Sequence, residues 1–148
     1  AGTGLIGFWL ARQRNWKKLI LLFSAVAGGV LINLVLKNIF QRTRPAISGA
    51  YMVETGFSFP SGHSMISLVF YGVLAYLALG YVKSKKWKLF IIAGAVAICA
   101  LIGFSRLYLG VHFLTDVLAG WAAGGLWLAV CILGDLWQQN LNLRKTTS

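Results

Sequence analysis

Long apolar stretches separated by short polar segments dominate the pattern of hydrophobic and polar positions along this chain. A helix needs about 20 apolar residues to cross a bilayer, and about 18 residues already rise about 27 Å. Four runs reach or approach this length: residues 19–36, 64–81, 89–105 and 112–134. The pattern therefore predicts an all-α fold, a polytopic transmembrane helix bundle with four full spans.

A shorter apolar stretch precedes the four spans. Residues 4–11 are too few to cross a bilayer, and the sequence does not begin with methionine. We interpret them as the end of an earlier helix whose upstream sequence is missing. A cleaved signal peptide is the weaker alternative, because the sequence shows no charged n-region and no cleavage site. We expect residues 1–148 to form a single membrane-embedded domain.

Small residues inside the spans predict helix packing. Gly120 and Gly124 form a GxxxG pattern in the last span, which favours close approach of a neighbouring helix. Cys99 and Cys131 lie in apolar runs without the CxxC or Cys/His spacing of a metal or redox site. We therefore interpret both cysteines as packing residues.

Composition supports a membrane protein and limits its partners. Hydrophobic residues make up 58% of the chain and charged residues 11%, far from soluble-domain averages. Fourteen Lys and Arg oppose three acids, for a net charge of +11. Such a balance can indicate nucleic-acid binding, but beside four apolar runs it favours anionic lipid. We predict the bilayer as a partner, with no nucleic acid and no obligate protein partner.

The basic residues also predict an orientation. If the spans alternate, ten of the fourteen fall at one end of the bundle, which the positive-inside rule assigns to the cytoplasm. We therefore predict a multi-pass membrane protein with this end in the cytoplasm, and the short chain, which looks bacterial, predicts the bacterial cell membrane as its location. The opposite, extracytoplasmic end receives Lys37, Arg42, Arg44 and Arg106, both histidines, Glu54 and Asp116. Such a collection of charge predicts a site for a phosphate-sized anion.

The second span begins at a motif suited to binding an anion, Pro60-Ser61-Gly62-His63. We expect Pro60 near the first helical position, where its missing N–H costs little. The N–H groups of Ser61, Gly62 and His63 would then point out of the positive end of the helix dipole. The alternative is a helix N-terminus capped by chance, without a ligand.

A second histidine has a carboxylate at helical spacing. His112 and Asp116 are four residues apart at a predicted helix start, so the carboxylate can hold one imidazole nitrogen and leave the other as a nucleophile. In the hydrolysis of a phosphate ester, His63, on a different span, is then the candidate acid that protonates the leaving alkoxide. Because this end carries no carboxylate cluster for Mg²⁺ or paired metals, we predict metal-free hydrolysis without a cofactor.

These residues carry a family resemblance. Three blocks resemble the signature motifs of the type 2 phosphatidic acid phosphatase family, which is related to vanadium haloperoxidases. The blocks are Lys37-x6-Arg44-Pro45, Pro60-Ser61-Gly62-His63 and Ser105-Arg106-x5-His112-x3-Asp116. The resemblance implies a six-helix membrane core, with its first helix and part of its second absent from this sequence.

The resemblance also implies a role for each matching residue. His112 would form a phosphohistidine, Asp116 would orient it, and His63 would protonate the leaving group. The implied phosphate ligands are Lys37, Arg44, Ser61, Gly62 and Arg106. Arg42 and Glu54 lie outside the motifs; we interpret them as interfacial loop charges or, alternatively, as contacts to a lipid headgroup. Ser105 belongs to the third motif, although it could merely close a helix.

Several functions remain open at this point. The chain is similar to phosphatidylglycerophosphatase B-type enzymes, which implies hydrolysis of phosphatidylglycerophosphate to phosphatidylglycerol. Undecaprenyl pyrophosphate phosphatase, or a lipid phosphatase of broad specificity, is the alternative, and the motifs do not separate them. A haloperoxidase would be soluble, which four spans contradict. An anion channel or a structural bundle could place cations at one end, but neither needs an Asp four residues after a His.

Overall fold

The computed structural model describes residues 16–45 and 55–146. In these ranges the chain forms helices and no strand, which confirms the predicted all-α fold. Four helices are long and apolar enough to cross a membrane. They are α1 (Trp16–Phe40), α2 (Gly62–Leu79), α3 (Lys85–Tyr108) and α4 (Leu114–Thr146). The apolar stretch 4–11 and Glu54 lie outside the described residues.

Three of the helices extend beyond the apolar runs that predicted them. α1 includes the lysines that flank its run, and α4 continues through the segment predicted as a polar tail to Thr146. A helix satisfies its backbone hydrogen bonds internally, so polar side chains at its ends need not stop it. Long Lys and Arg side chains can carry their charges to the membrane surface while their stems stay on the apolar helix.

Helix α2 is the centre of the bundle and contacts each of the other three helices. The predicted close contact at Gly120 and Gly124 is confirmed. A Cβ atom at Gly120 would lie 2.7 Å from the Ser61 carbonyl oxygen, and one at Gly124 would lie 2.8 Å from that of Met65. Because either methyl group would collide with backbone, these glycines bring the start of α4 directly against the start of α2.

The other two helices pack on this pair differently. Trp127 of α4 donates its indole N–H to the Ala25 carbonyl oxygen of α1 at 2.7 Å. Along α3, the buried residues are Cys99 and Gly103, and most of its large apolar side chains are exposed on the bundle surface. Exposed apolar side chains can face lipid in a bilayer, so α3 can be apolar on the side that does not pack against α2 or α4. Both cysteines are free thiols inside helices, as predicted for packing residues.

The alternating helices gather the basic residues as the sequence predicts. At one end, Lys18 at the start of α1 donates to the Tyr81 hydroxyl beyond α2 at 2.7 Å. The opposite end brings Lys37 and Arg44 beside His63 and His112. The candidate chemistry therefore lies at a single end of the bundle.

Candidate active site

The turn before α2 differs from the predicted one. α2 begins at Gly62 with Ser61 as its N-cap, so Pro60, which was expected near the first helical position, lies two residues before it and outside the helix. Ser61 has extended backbone (φ −67°, ψ 114°), and its hydroxyl oxygen accepts the Ser64 N–H at 3.4 Å. A serine hydroxyl can accept a hydrogen bond from a free helical N–H group, whereas proline has no side-chain acceptor.

Ser61 lies behind the site rather than at its surface. Its N–H donates to the Asp116 carbonyl oxygen at 2.9 Å, and the residue is fully buried. The expectation that this N–H points outward is therefore wrong, because the approach of α4 gives it a backbone acceptor. Ser61 ties the start of α2 to the start of α4, and Gly62 and His63 form the exposed part of the motif.

Asn33 supports this turn from α1, and the sequence analysis missed it. Its side-chain N–H donates to the Pro60 carbonyl oxygen at 3.5 Å, and a Cβ on Gly62 would lie 3.0 Å from its Oδ1 atom. Asn33 is buried, one helical turn before Lys37. A polar side chain inside an apolar span was the available signal, because such residues are costly in a membrane unless they make specific contacts.

Two cations reach the site from the end of α1 and from the non-helical segment 41–45 that follows it. Lys37, in the last turn of α1, donates to the Phe57 carbonyl oxygen. Arg44 donates to the Gly56 carbonyl oxygen at 3.1 Å and to that of Val111 at 3.0 Å. Arg44 thus joins the segment before α2 to the segment before α4, and its guanidinium is held where those segments meet.

These elements enclose an open cavity of about 460 Å³. Five predicted site residues are in its lining, which consists of Lys37, Arg44, Thr55, Gly56, Phe57, Gly62, His63, Ile66 and His112. Two cations, two imidazoles and a helix start thus face one space that can hold a phosphate group. Among the described residues, Ser61, Asp116 and Arg106 do not contribute to this lining. Arg106 lies in the last turn of α3, where its Nε donates to the Ser105 hydroxyl oxygen at 3.2 Å.

His112 and Asp116 are paired, although His112 is not in a helix. α4 begins at Leu114, so the predicted helix start at His112 is wrong by two residues. The imidazole Nδ1 atom lies 3.4 Å from Asp116 Oδ2, and both side chains are buried. The same carboxylate oxygen accepts the Phe113 N–H at 2.9 Å, as an acidic residue in a capping box does. The cap of α4 therefore fixes the carboxylate that meets His112.

The far nitrogen of His112 faces the cations. Its Nε2 atom lies 3.4 Å from Arg44, on the ring edge opposite the carboxylate. Burial lowers the pKa of His112 below its ordinary range, and the positive charge of Arg44 lowers it further, whereas the hydrogen bond to Asp116 opposes the shift. This environment favours a neutral imidazole, which has a lone pair available at the cavity.

Arg42 belongs to this arrangement, which corrects its interpretation as an interfacial loop charge. Its guanidinium forms an ion pair with Asp116 Oδ1 at 2.9 Å, donates to the Thr115 hydroxyl at 2.6 Å and lies 4.2 Å above the Phe113 ring centre. Asp116 therefore has Arg42 on one oxygen and His112 with the cap of α4 on the other. Residues 41–45 are non-helical. The available sequence signal for a role of Arg42 in the site was its position two residues before Arg44 in this segment.

Known proteins place the chain in a family. The model of the PAP2 superfamily matches residues 17–139. The chain therefore belongs to the PAP2 superfamily, which confirms the resemblance found in the three motifs, and it is a multi-pass membrane protein.

Individual relatives include both predicted kinds of lipid phosphatase. "Phosphatidylglycerophosphatase B" of Bacillus subtilis is 42% identical over 115 residues, 76% of this chain and 55% of the relative. "Undecaprenyl-diphosphatase" of Sulfolobus acidocaldarius is 32% identical over 122 residues, 79% of this chain and 54% of the relative. The chain thus spans about half the length of the curated relatives it matches.

A solved structure has the same fold. The crystal structure of a transmembrane PAP2-type phosphatidylglycerolphosphate phosphatase from Bacillus subtilis superimposes with a TM-score of 0.82 at 36% sequence identity. The match covers 90% of this chain and 66% of that one. The helix bundle described above is therefore the fold of PAP2 membrane phosphatases.

Proposed function

We propose that this chain is a single membrane-embedded lipid phosphatase domain that hydrolyses a phosphate monoester, most specifically phosphatidylglycerophosphate to phosphatidylglycerol. One observation carries the proposal: buried His112 has Asp116 on one nitrogen and a cation-lined cavity on the other. Similarity to the phosphatidylglycerophosphatase B of Bacillus subtilis supports the choice of substrate.

The reaction starts with attack of His112 Nε2 on phosphorus. Lys37 and Arg44 balance the charge on the non-bridging oxygens, and the N–H groups at the start of α2 add directed dipoles. The bond from phosphorus to the lipid oxygen breaks, and His63 gives that oxygen a proton. The result is a phosphohistidine and a free lipid alcohol.

Water completes the cycle. Neutral His63 accepts a proton from the attacking water, whose oxygen displaces His112 from phosphorus and forms inorganic phosphate. Both steps need a fixed tautomer of His112, with its Nδ1 proton toward Asp116. Arg42 and the cap of α4 hold that carboxylate in place. Ser61 acts through the turn that it caps, and the contact of Arg106 with phosphate stays a prediction.

Undecaprenyl diphosphate is the second candidate substrate. The relative from Sulfolobus acidocaldarius favours it, and an open cavity of about 460 Å³ has room for a second phosphate group. The same nucleophile and the same acid would cleave the diphosphate, with a phosphate monoester as the leaving group. The two candidates differ in the leaving group and lipid tail, and share the reacting centre.

The test is turnover of a panel of lipid phosphates by the purified protein. We expect phosphatidylglycerophosphate to have the highest kcat/KM, with undecaprenyl diphosphate second. EDTA should leave the rate unchanged, because histidine and cations carry the chemistry. Vanadate should inhibit, since it can adopt the five-coordinate geometry of the transition state. Loss of activity in EDTA with recovery on adding Mg²⁺ would contradict this mechanism.

The active site faces the extracytoplasmic side in this proposal. The positive-inside rule supports this orientation, because the described lysines at the starts of α1 and α3 lie at the opposite end. An impermeant thiol reagent applied to intact cells should label Thr43→Cys beside the site. The same reagent should label Lys85→Cys only after the membrane is opened. The reverse pattern would invert the orientation and leave the site chemistry untouched.

The lowered pKa of His112 predicts a pH dependence. The nucleophile must be neutral, so the acid limb of kcat/KM should lie below the ordinary imidazole pKa of about 6.5. Arg44→Gln removes a positive charge that lowers this pKa, so the acid limb should move to higher pH in that variant. The measurement is the pH profile of kcat/KM for both proteins.

Arg106→Gln is the matched control for that experiment. It removes an equal charge, but Arg106 is not among the groups that shift the pKa of His112. The position of its acid limb should stay where it is in the wild type. An acid limb that moved in Arg106→Gln but not in Arg44→Gln would exclude His112 as the titrating group.

A further inference from the structure

A second polar cluster lies at the end of the bundle opposite the active site. Asp135, one of the three acids of the chain, is on α4. Its Oδ2 atom accepts hydrogen bonds from the Tyr76 hydroxyl and from the Gln139 side-chain amide, each at 2.7 Å. A carboxylate in a membrane helix is costly and marks a candidate functional site. The catalytic proposal makes no use of it.

This cluster faces a cavity of about 560 Å³, here called the distal pocket. Its lining consists of Lys17, Lys18, Tyr76, Leu77, Leu79, Gly80, Asp135 and Gln139. Two lysines and one carboxylate thus line the pocket, which gives it a net positive charge. The Lys18 ammonium is fixed by the Tyr81 hydroxyl and lies 4.1 Å from the centre of that ring. It has three donors, so this contact leaves donors for a ligand.

The described residues satisfy Asp135 only in part. Both of its hydrogen bonds end on Oδ2, and Oδ1 accepts none from the residues that the structure describes. A carboxylate oxygen beside a cavity can accept a hydrogen bond from a hydroxyl group of a ligand. The pocket therefore combines cations suited to a phosphate with an acceptor suited to a hydroxyl.

An apolar groove continues from the distal pocket between α1 and α4. It shares Lys17 and Asp135 with the pocket, has a volume of about 560 Å³ and reaches Leu31 on α1 and Trp127 on α4. From Lys17 to Leu31 the helix rises about 21 Å. This length exceeds half of a hydrocarbon core about 30 Å thick. A polar pocket and an apolar groove of this length together have the shape of a phospholipid.

We propose that the distal pocket binds an anionic phospholipid with a hydroxylated headgroup, from the leaflet opposite the active site. Lys17 and Lys18 contact its phosphate, Asp135 accepts a hydroxyl of the headgroup, and the groove holds an acyl chain. Basic pockets between transmembrane helices bind anionic headgroups in this way. The distal pocket and the catalytic cavity share no lining residue, so this lipid is bound without being hydrolysed.

The net charge and the hydrogen-bonding groups of the distal pocket favour this ligand over other occupants. A zwitterionic lipid has no net charge, so it would leave the net positive charge of the pocket, with its two lysines and one carboxylate, uncompensated. A phosphatidate has no headgroup hydroxyl for Asp135. Residues 1–15 of this chain contain two arginines and no acid, so they cannot neutralise the lysines. A lipid with one phosphodiester charge and a free hydroxyl, such as phosphatidylglycerol, satisfies both requirements.

Native mass spectrometry of the detergent-solubilised protein can count the bound lipids. Saturating vanadate occupies the catalytic cavity, and phosphatidylglycerol, phosphatidate or phosphatidylethanolamine is then titrated. We expect phosphatidylglycerol to bind at least tenfold more tightly than phosphatidylethanolamine. The Lys17→Ala, Lys18→Ala double variant should lose this preference. Asp135→Asn should still bind anionic lipids, but without preferring phosphatidylglycerol over phosphatidate.

The control is the Lys85→Ala, Lys86→Ala double variant. It removes the same charge at the same end of the bundle, from exposed side chains outside the pocket. Equal losses in the two double variants would overturn the proposal, because general attraction to anionic lipid would then explain the binding. Equal binding of all three lipids to the wild type would also overturn it. That result is the one expected if a protein segment, rather than a lipid, fills the pocket. Lys17→Gln alone, at an exposed position, replaces the double variant if that variant does not fold.

Discussion

Substitution of His112 by Ala is expected to abolish turnover and the covalent phosphoenzyme together. The reaction needs an imidazole with one nitrogen held by a carboxylate and the other at the cavity, and the described residues offer this arrangement at His112. Loss of a nucleophile costs about 10⁴-fold or more in rate. The measurements are turnover of a lipid phosphate and trapping of acid-labile phosphate on the protein after rapid quenching.

Asp116→Asn provides a graded comparison for that result. The amide can still accept the Phe113 N–H, so α4 keeps its cap, but the charge facing Arg42 and His112 is lost. We expect a folded protein that forms the phosphoenzyme slowly, because the His112 tautomer is no longer fixed. A phosphoenzyme in His112→Ala that formed as fast as in the wild type would falsify the assignment of the nucleophile.

Substitution of His63 by Ala should have an effect that depends on the leaving group. His63 lines the cavity from the first turn of α2 and is exposed there. This exposure suits a group that must exchange protons with both the lipid oxygen and water. With a lipid alkoxide as leaving group, loss of the general acid should slow the reaction about 10² to 10⁴-fold. With p-nitrophenyl phosphate the loss should be far smaller, because p-nitrophenolate leaves without a proton.

Asp116→Asn is the matched control for this second prediction as well. It acts on the nucleophile, so it should slow both substrates by similar factors. The ratio of the two rates, rather than either rate alone, therefore identifies the general acid. If His63→Ala abolished phosphate trapping while His112→Ala retained it, the two histidines would have exchanged roles.

The amino-acid sequence by itself determined the fold class and the end of the bundle that carries the candidate site. Each apolar run lowers its free energy in lipid independently of the others, so the four spans could be predicted one at a time. Once the spans alternate, the motif residues at their ends must fall on the same side. This is why Lys37, Arg44, His63 and His112 were predicted to meet and do line one cavity.

The tertiary structure decided which of these side chains face the cavity and which support it. Arg42 meets Asp116 although 74 positions separate them, and Asn33 reaches the turn at Pro60. Ser61 belongs to a motif that predicted phosphate binding, yet it is buried because α4 packs against it and accepts its N–H. Such outcomes depend on helix crossing and on Gly120 and Gly124, so no local pattern contains them.

The distal pocket shows the same division between local and tertiary information. Asp135 lies at the end of the bundle opposite the candidate site, and its neighbours Tyr76 and Lys17 belong to two other helices. Hydropathy along a chain records how strongly each segment prefers lipid, which is a sum over nearby residues. Distances between side chains on different helices are set by packing, which couples all helices at once. For this reason the spans followed from the sequence, whereas the contacts of Arg42, Asn33 and Asp135 required the folded structure.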